Sequence, residues 1–492
     1  MQLTWAPGKL RKTLGLLTAN LLAATGAHAA TVPDGVASIA NAVFGAGTDV
    51  AGDLGRTRVD SAVLVYQEAG GRVRAIEPVV GATLNRANGD AISVKFTVDT
   101  LTGATPNGAL PWLTVQSFST PAAAPALGST ATVTSASGKS MLVTIPGVGA
   151  VRQYTVPAKT LPVDAGFMDE RRAIDLGFTK QWSEDLRLSV GLSASRERDF
   201  RSTSLSGGFS RDFNEKNTTV SAGLNLEFDE SRPSFGAPAP LSYMVGRGRE
   251  ADDGPEGGRE GSGRVAPATV VARNLSPAKK TVSSLVVGST QVINRRWLTQ
   301  ISYNLGSSQG YQTDPYRIIS QVNRTSGAPS NYLYESRPRS RIRQSVYWDN
   351  KLAIGPTFAD LSVRGYHDSW GINSITIGAA ERVPLKSWVY VEPQARYYQQ
   401  TAANFFRDFL INGQAMPTFV SSDGRLAKFS AATVGLKVGL NLFKTGELYI
   451  LAEQYDQTGE HHPANAVGSL KTLDLFSGVS ATSVIVGYSF AF

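Results

Sequence analysis

Four arginines, Arg337, Arg339, Arg341 and Arg343, recur at every second residue. An extended backbone turns alternate residues to one face, so this spacing lines four guanidiniums along one side of a strand. Such a ladder at a pore mouth raises the local concentration of anions, phosphates or carboxylates. The competing reading is pairing with Glu335, Asp360 and Asp368, or contact with lipopolysaccharide phosphates. Catalytic groups are sparse. Beyond residue 29 the histidines are His367, His461 and His462. The adjacent pair precedes Pro463 in a loop and lacks the i, i+4 spacing of helical metal sites. His367 and Asp368 pair a base with an acid, yet neighbours on a strand face opposite ways and form no dyad. Gly257-Gly258 and Gly261-Ser262-Gly263 lack the Gly-Lys-Ser/Thr of a phosphate cradle and read as loop spacers. The chain has no cysteine, which removes thiolate nucleophiles, disulfides, iron-sulfur ligation and c-type haem attachment. These residues point away from an enzyme, and no cofactor or metal is implied.

The elements that position the ladder begin after a targeting segment. Lys9, Arg11 and Lys12 form a positive region, Leu14 to Ala24 an apolar one, and Ala27-His28-Ala29 a small-x-small cleavage pattern, so residues 1–29 read as a signal peptide. Its removal leaves 45 Lys+Arg against 40 Asp+Glu, a formal +5 in place of +8, which gives a nucleic-acid partner no support. No later apolar run approaches the roughly 18 to 20 residues of a membrane helix. An exported, cysteine-free chain of this kind fits the envelope of a Gram-negative cell, either soluble in the periplasm or inserted in the outer membrane.

The last strand discriminates. Val484, Val486, Tyr488, Phe490 and Phe492 fall on one face at period two, with Ser483, Gly487, Ser489 and Ala491 on the other. A terminal phenylalanine closing such a strand, with Tyr488 and Phe490, resembles the signal read by the barrel-assembly machinery. Sixteen alternating segments follow from the same test. They begin near Val59, Val73, Ala91, Arg171, Leu186, Thr203, Thr218, Val282, Trp297, Ile342, Phe358, Ile372, Trp388, Phe429, Glu447 and Thr482. Connections after even-numbered segments are tight. All the long ones follow odd-numbered segments: Thr102 to Gly166, Ser231 to Lys280, Ser308 to Ser340, Ala402 to Lys428 and Gly459 to Ala481. This parity predicts an up-and-down antiparallel transmembrane barrel of about sixteen strands over residues 58–492, with both termini in the periplasm and the long loops outside the cell.

Alternation then assigns faces. Charge on the lipid face at mid-bilayer costs about 2 to 4 kcal/mol for Arg or Lys, so the polar set lines the lumen. Arg171, Asp175, Asp360, Arg364, Glu392, Arg396, Tyr398 and Lys437 are the candidate lumen residues, joined by Glu77, Lys95, Asp99, Glu227 and Lys351. Trp182, Trp297, Trp388 and Tyr488 sit where a periplasmic aromatic girdle belongs. The mixed-charge, Gly-rich stretch from Arg247 within 231–280 reads as disordered. Ser308 to Ser340 carries enough aromatic and apolar surface to fold inward or pack over the mouth. Phe405, Phe406, Phe409, Leu410 and Ile411 suggest an amphipathic turn. Residues 30–57 read as a periplasmic segment or a small plug.

Several motifs also resemble a known group. Val98-Asp99-Thr100-Leu101-Thr102-Gly103-Ala104-Thr105-Pro106-Asn107-Gly108, Thr290-Gln291-Val292-Ile293-Asn294-Arg295-Arg296, Asp314-Pro315-Tyr316-Arg317, Tyr332-Leu333-Tyr334-Glu335-Ser336-Arg337-Pro338 and Arg396-Tyr397-Tyr398-Gln399-Gln400 are similar to a proteobacterial outer-membrane family catalogued only as a domain of unknown function. The resemblance spans Thr57 to Phe492 and implies an exported outer-membrane protein with no assigned substrate, with a tie to envelope redox traffic. It carries over no functional residues. The expectation is a channel for small polar or anionic solutes; the alternative is a sleeve or scaffold for an envelope complex. Expected partners are outer-membrane lipid and lipopolysaccharide, the assembly machinery and a periplasmic protein.

Overall fold

The computed structural model describes residues 55–121, 133–134, 140–145, 149–233, 236–244, 273–274, 276–442 and 445–492. The signal-peptide reading of 1–29, nearly all of 30–57 and most of the 231–280 loop lie outside the described residues. Sixteen strands hydrogen-bond in chain order into one closed barrel. They are β1 (Thr57–Glu68), β2 (Arg74–Asn85), β3 (Ala91–Pro106), β4 (Val163–Gln181), β5 (Leu186–Arg196), β6 (Phe200–Phe213), β7 (Thr218–Ser231) and β8 (Ala278–Asn294). The second half comprises β9 (Trp297–Gly310), β10 (Ser340–Ile354), β11 (Thr357–Asp368), β12 (Asn373–Lys386), β13 (Val389–Gln400), β14 (Phe429–Leu442), β15 (Gly446–Gly459) and β16 (Ser480–Ala491). Among the described residues no helix is long and apolar enough to cross a membrane.

The sixteen sequence segments coincide with these strands, the largest offset being β4, which starts eight residues before Arg171. Its extra length is paired: Thr105 and Pro106 of β3 lie opposite Asp164 and Val163, beyond the alternating apolar band that marks the segment in sequence. Two of the tight turns run through a left-handed backbone. Asn214, Glu215 and Lys216 all have positive φ between β6 and β7, and Gly355 sits at φ 61 between β10 and β11.

Closure joins β1 to β16, with Val63 opposite Val486 and Leu64 opposite Ile485. The backbones of Thr57 and Phe492 exchange two hydrogen bonds of 2.9 Å at the seam. Apolar side chains on the outside, such as Phe96, Leu205, Phe228, Ile301, Leu361 and Val434, are exposed and alternate with buried or half-buried inward residues. A lipid-facing band satisfies that exposure, and closure leaves no strand edge unpaired. Strands about 4.8 Å apart and tilted by about 40° give a barrel roughly 30 Å across, wide enough for an aqueous lumen.

Candidate functional site: the lumen and its extracellular mouth

Strand register turns every candidate lumen residue inward. The charges meet across neighbouring strands as a series of ion pairs. Arg171 on β4 bonds Asp99 on β3 at 2.5 Å, and Lys95 meets Asp175 at 2.9 Å. Around the wall follow Arg187 with Asp212, Lys280 with Asp229, Lys351 with Asp360, Arg382 with Glu392 and Lys437 with Glu447. Each pair spans two adjacent strands, directly opposite or diagonal, so opposite charges neutralise each other locally. Tyr398 donates to Gln400 at 2.6 Å and packs against Phe429.

Three inward arginines stand apart. Arg343 on β10 donates to the Ser308 hydroxyl at 3.2 Å, while Arg364 on β11 and Arg396 on β13 form no ion pair among the described residues. Glu77 on β2, Glu227 on β7 and Glu453 on β15 likewise form none, although Glu227 lies within electrostatic reach of Arg343 and Glu453 of Arg396. The charge left outside ion pairs is therefore mixed, with guanidiniums on β10, β11 and β13 and carboxylates on β2, β7 and β15. One departure from the mixed-charge wall is apolar: Ala62, Leu64, Leu451 and Ile485 cluster with Tyr66 and Tyr449 on the inward face at the β15–β16–β1 seam. Tyr449 lies across Gly487 and Tyr390 across Gly439, with the Lys437 ammonium 4.2 Å from one ring and 5.6 Å from the other.

The arginine ladder does not survive as one face. Only Arg341 and Arg343 belong to β10, which begins at Ser340. Arg341 is held by the Asp368 carboxylate, with Nε to Oδ2 at 2.8 Å, and stacks over Trp370 at 4.3 Å. Arg339 is exposed on the loop, where its carbonyl accepts the Gly310 N–H. Arg337 turns into the folded loops. The cause is Pro338, which has no N–H to donate and interrupts strand pairing before Ser340. His367 and Asp368 face opposite ways: His367 is exposed beside Asn373, and Asp368 is fully buried under Arg341 and Tyr366.

The long loops form a common cap. A hairpin of Ile318–Val322 against Pro329–Tyr334 is its hub. From the β3–β4 loop, the Asn107 carbonyl accepts the Ile318 N–H at 2.9 Å, and the Leu110 N–H donates to Ser320 at 3.0 Å. From the β5–β6 turn, Asp199 accepts the Tyr316 hydroxyl. From the β7–β8 loop, Met244 donates to the Tyr332 carbonyl at 2.8 Å. The β13–β14 loop lays Leu410–Ile411 parallel to Gln321–Val322, and the β15–β16 loop donates the Ser469 N–H to Ser326 at 3.0 Å. Leu110, Val322, Phe409, Leu470 and Leu475 make one apolar cluster from four of these loops. Segments rooted around the whole rim meet at one hairpin only if that hairpin stands over the opening. The aromatic run Phe405 to Ile411 thus forms no amphipathic turn: Phe405 packs on Trp370, Phe409 joins the cap core, and Leu410–Ile411 is a short strand.

Beneath the hub lies a charge cluster that periodicity could not reveal. Asp314, Arg317, Glu335, Arg337, Asp423 and Arg425 pair three carboxylates with three guanidiniums. Arg337 reaches Glu335 at 2.6 Å and Asp423 at 2.9 Å; Arg425 reaches Asp423 at 2.5 Å. Glu335 also accepts the Asp314 N–H at 2.7 Å and the Ser421 hydroxyl. Burial pushes the Glu335 carboxyl above the ordinary range, and Arg337 only partly offsets it. Burial acts on Asp423 in the same sense, but Arg317, Arg425 and Arg337 outweigh it and hold Asp423 well below the usual carboxylate range.

Closed antiparallel strands, an apolar exterior and a charged interior define a transmembrane β-barrel of the outer-membrane type. Residues 29–490 match the family described as "Protein of unknown function (DUF3570)", and the chain belongs to it. The match begins well before β1, earlier than the Thr57 start read from motifs. No curated protein matches the sequence. Among solved structures, the chain resembles CdiB from Acinetobacter baumannii at 9% identity and a TM-score of 0.40, covering 89% of this chain and 60% of CdiB. It resembles a bacterial polysaccharide outer membrane secretin at 8% identity and a TM-score of 0.41, covering 89% and 99% of the two chains. The toluene transporter TodX of P. putida follows at 7% identity and a TM-score of 0.32, covering 89% of each. The chain thus spans about three fifths of the length of CdiB.

Proposed function

We propose that the protein is a channel of the outer membrane, exported by cleavage after Ala29, that passes small polar or anionic solutes and performs no chemistry on them. The charged interior of the closed barrel carries this reading. Arg343, Arg364 and Arg396, which lie outside the ion pairs of the wall, favour anions beside them. Neutralised rows of ion pairs elsewhere keep the lumen wet without strong binding, as conduction requires. Lipopolysaccharide outside and the assembly machinery within the periplasm are its expected partners.

Purified protein in planar bilayers tests the proposal. Discrete ion-permeable steps after removal of the cap, with a reversal potential on the anion side in a salt gradient, are expected. A barrel that never conducts in any form removes the channel reading.

The inward apolar patch of Leu64, Leu451 and Ile485 favours one second reading, a sleeve around another envelope protein such as a redox carrier. Co-purification of a periplasmic partner with a sealed barrel, lost on Leu64→Asp, distinguishes it.

A further inference from the structure

We propose that the hub hairpin is a gate and that the six-residue charge cluster is its latch. The inference rests on the channel reading and adds how the channel is closed.

The hub stands over the mouth, and its two sides are tied by different means. Main-chain pairing and the apolar cluster join it to the loops after β3, β13 and β15. The chain leaving the hairpin at both ends, Asp314 to Arg317 and Glu335 to Arg337, is tied to the β13–β14 loop mainly by charge to Asp423 and Arg425, beside a single backbone pair of Ser336 with Val420. These are the segments that connect the hairpin to β9 and β10, so they are where it must hinge. Glu335 and Asp423 are almost wholly buried. Burying carboxylates and guanidiniums of this kind is a poor way to gain stability, because well-packed apolar residues of similar volume do as well or better. What such a cluster does supply is a single register and an abrupt failure: once one carboxylate loses its partners, the remaining guanidiniums repel. Two discrete arrangements, not a graded loosening, are the property a gate needs.

The experiment uses the full chain, whose lack of cysteine makes introduced pairs unambiguous. Four proteins are compared in planar bilayers, each checked for a folded barrel by heat-modifiable migration. They are the wild type, Glu335→Gln with Asp423→Asn, that double variant carrying Ser336→Cys and Val420→Cys, and a barrel in which residues 318–333 are replaced by a short Gly-Ser linker. Ser336 and Val420 already exchange backbone hydrogen bonds of 2.9 and 2.8 Å. An antiparallel pair of that kind has Cα atoms about 5.5 Å apart, within disulfide range. The wild type is expected to be nearly silent, and the latch variant to pass at least tenfold more current. The oxidised staple should restore silence, and reductant should reopen the pore. A latch variant no more conductive than the wild type, beside a conducting linker barrel, overturns the gate and leaves the channel. A silent linker barrel overturns the channel itself.

Discussion

The guanidinium of Arg337 lies 2.9 Å from the carboxylate of Asp423, 86 residues further along the chain, and this contact ties the β9–β10 loop to the β13–β14 loop. Neither residue belongs to the barrel wall. Their meeting shows that the loops are a folded unit with its own core.

Removing the Asp423 carboxylate should therefore unfold the cap and spare the barrel. Asp423→Ala leaves Arg317, Arg337 and Arg425 together with too little opposing charge, a loss of about 3 to 5 kcal/mol for a broken buried pair. Hydrogen exchange should accelerate at residues 318–334 while the amides of β10 to β16 keep their protection. Uniform loss of protection throughout would show that cap and barrel unfold as one.

Selectivity should follow the unpaired arginines rather than the paired ones. Arg364→Glu with Arg396→Glu should move the reversal potential of the uncapped barrel toward cations in a salt gradient. Reversing the Lys351–Asp360 pair by Lys351→Asp and Asp360→Lys should leave it nearly unchanged, because the local charge sum is preserved.

A side chain at Gly487 should destabilise the closing strands. A Cβ there would overlap the Tyr449 ring, which is buried in a cluster with Leu64, Leu451 and Ile485. Gly487→Val should lower stability by about 1 to 3 kcal/mol, the range for overpacking, seen as a lower temperature of heat-modifiable migration. Gly487→Val with Tyr449→Ala should regain part of the loss.

Acidification should tighten part of the cap. Burial pushes the Asp408 carboxyl up to about 6, with Glu460 adding to the rise. A folded-state value above the unfolded one means that the folded cap binds the proton more tightly. Stability from this group is thus greatest below the unfolded value of about 3.9 and is lost as pH rises through about 6. Asp423, held low, titrates beneath this window. Protease nicking of the loop at 401–428 should be slower at pH 5 than at pH 7.5, and Asp408→Asn should abolish the difference.

Phe492 should matter more for assembly than for the finished barrel. Its side chain is exposed at 69% and stacks on Phe490, whereas its backbone is bonded to Thr57. Phe492→Ala should cut the folded yield in cells several-fold with little change in melting. Deleting residue 492 should lower both, since it also removes the two backbone bonds at the seam.

Strand number, strand order and the gathering of the long loops at one end of the barrel were legible before any coordinates. The reason is that a barrel wall is periodic: lipid on one side and water on the other impose alternation residue by residue, and tight turns declare themselves by Gly and Asn. The ladder from Arg337 to Arg343 misled because period two is necessary for a shared face but not sufficient, and Pro338 ends the pairing on which the face depends. The ion-pair rows, the apolar seam and the cap were decided only by tertiary structure. Asp423 meets Arg337 through two loops of unrelated length, and the hub meets segments rooted on every side of the rim. Such contacts depend on where closure carries each loop, which no local pattern encodes.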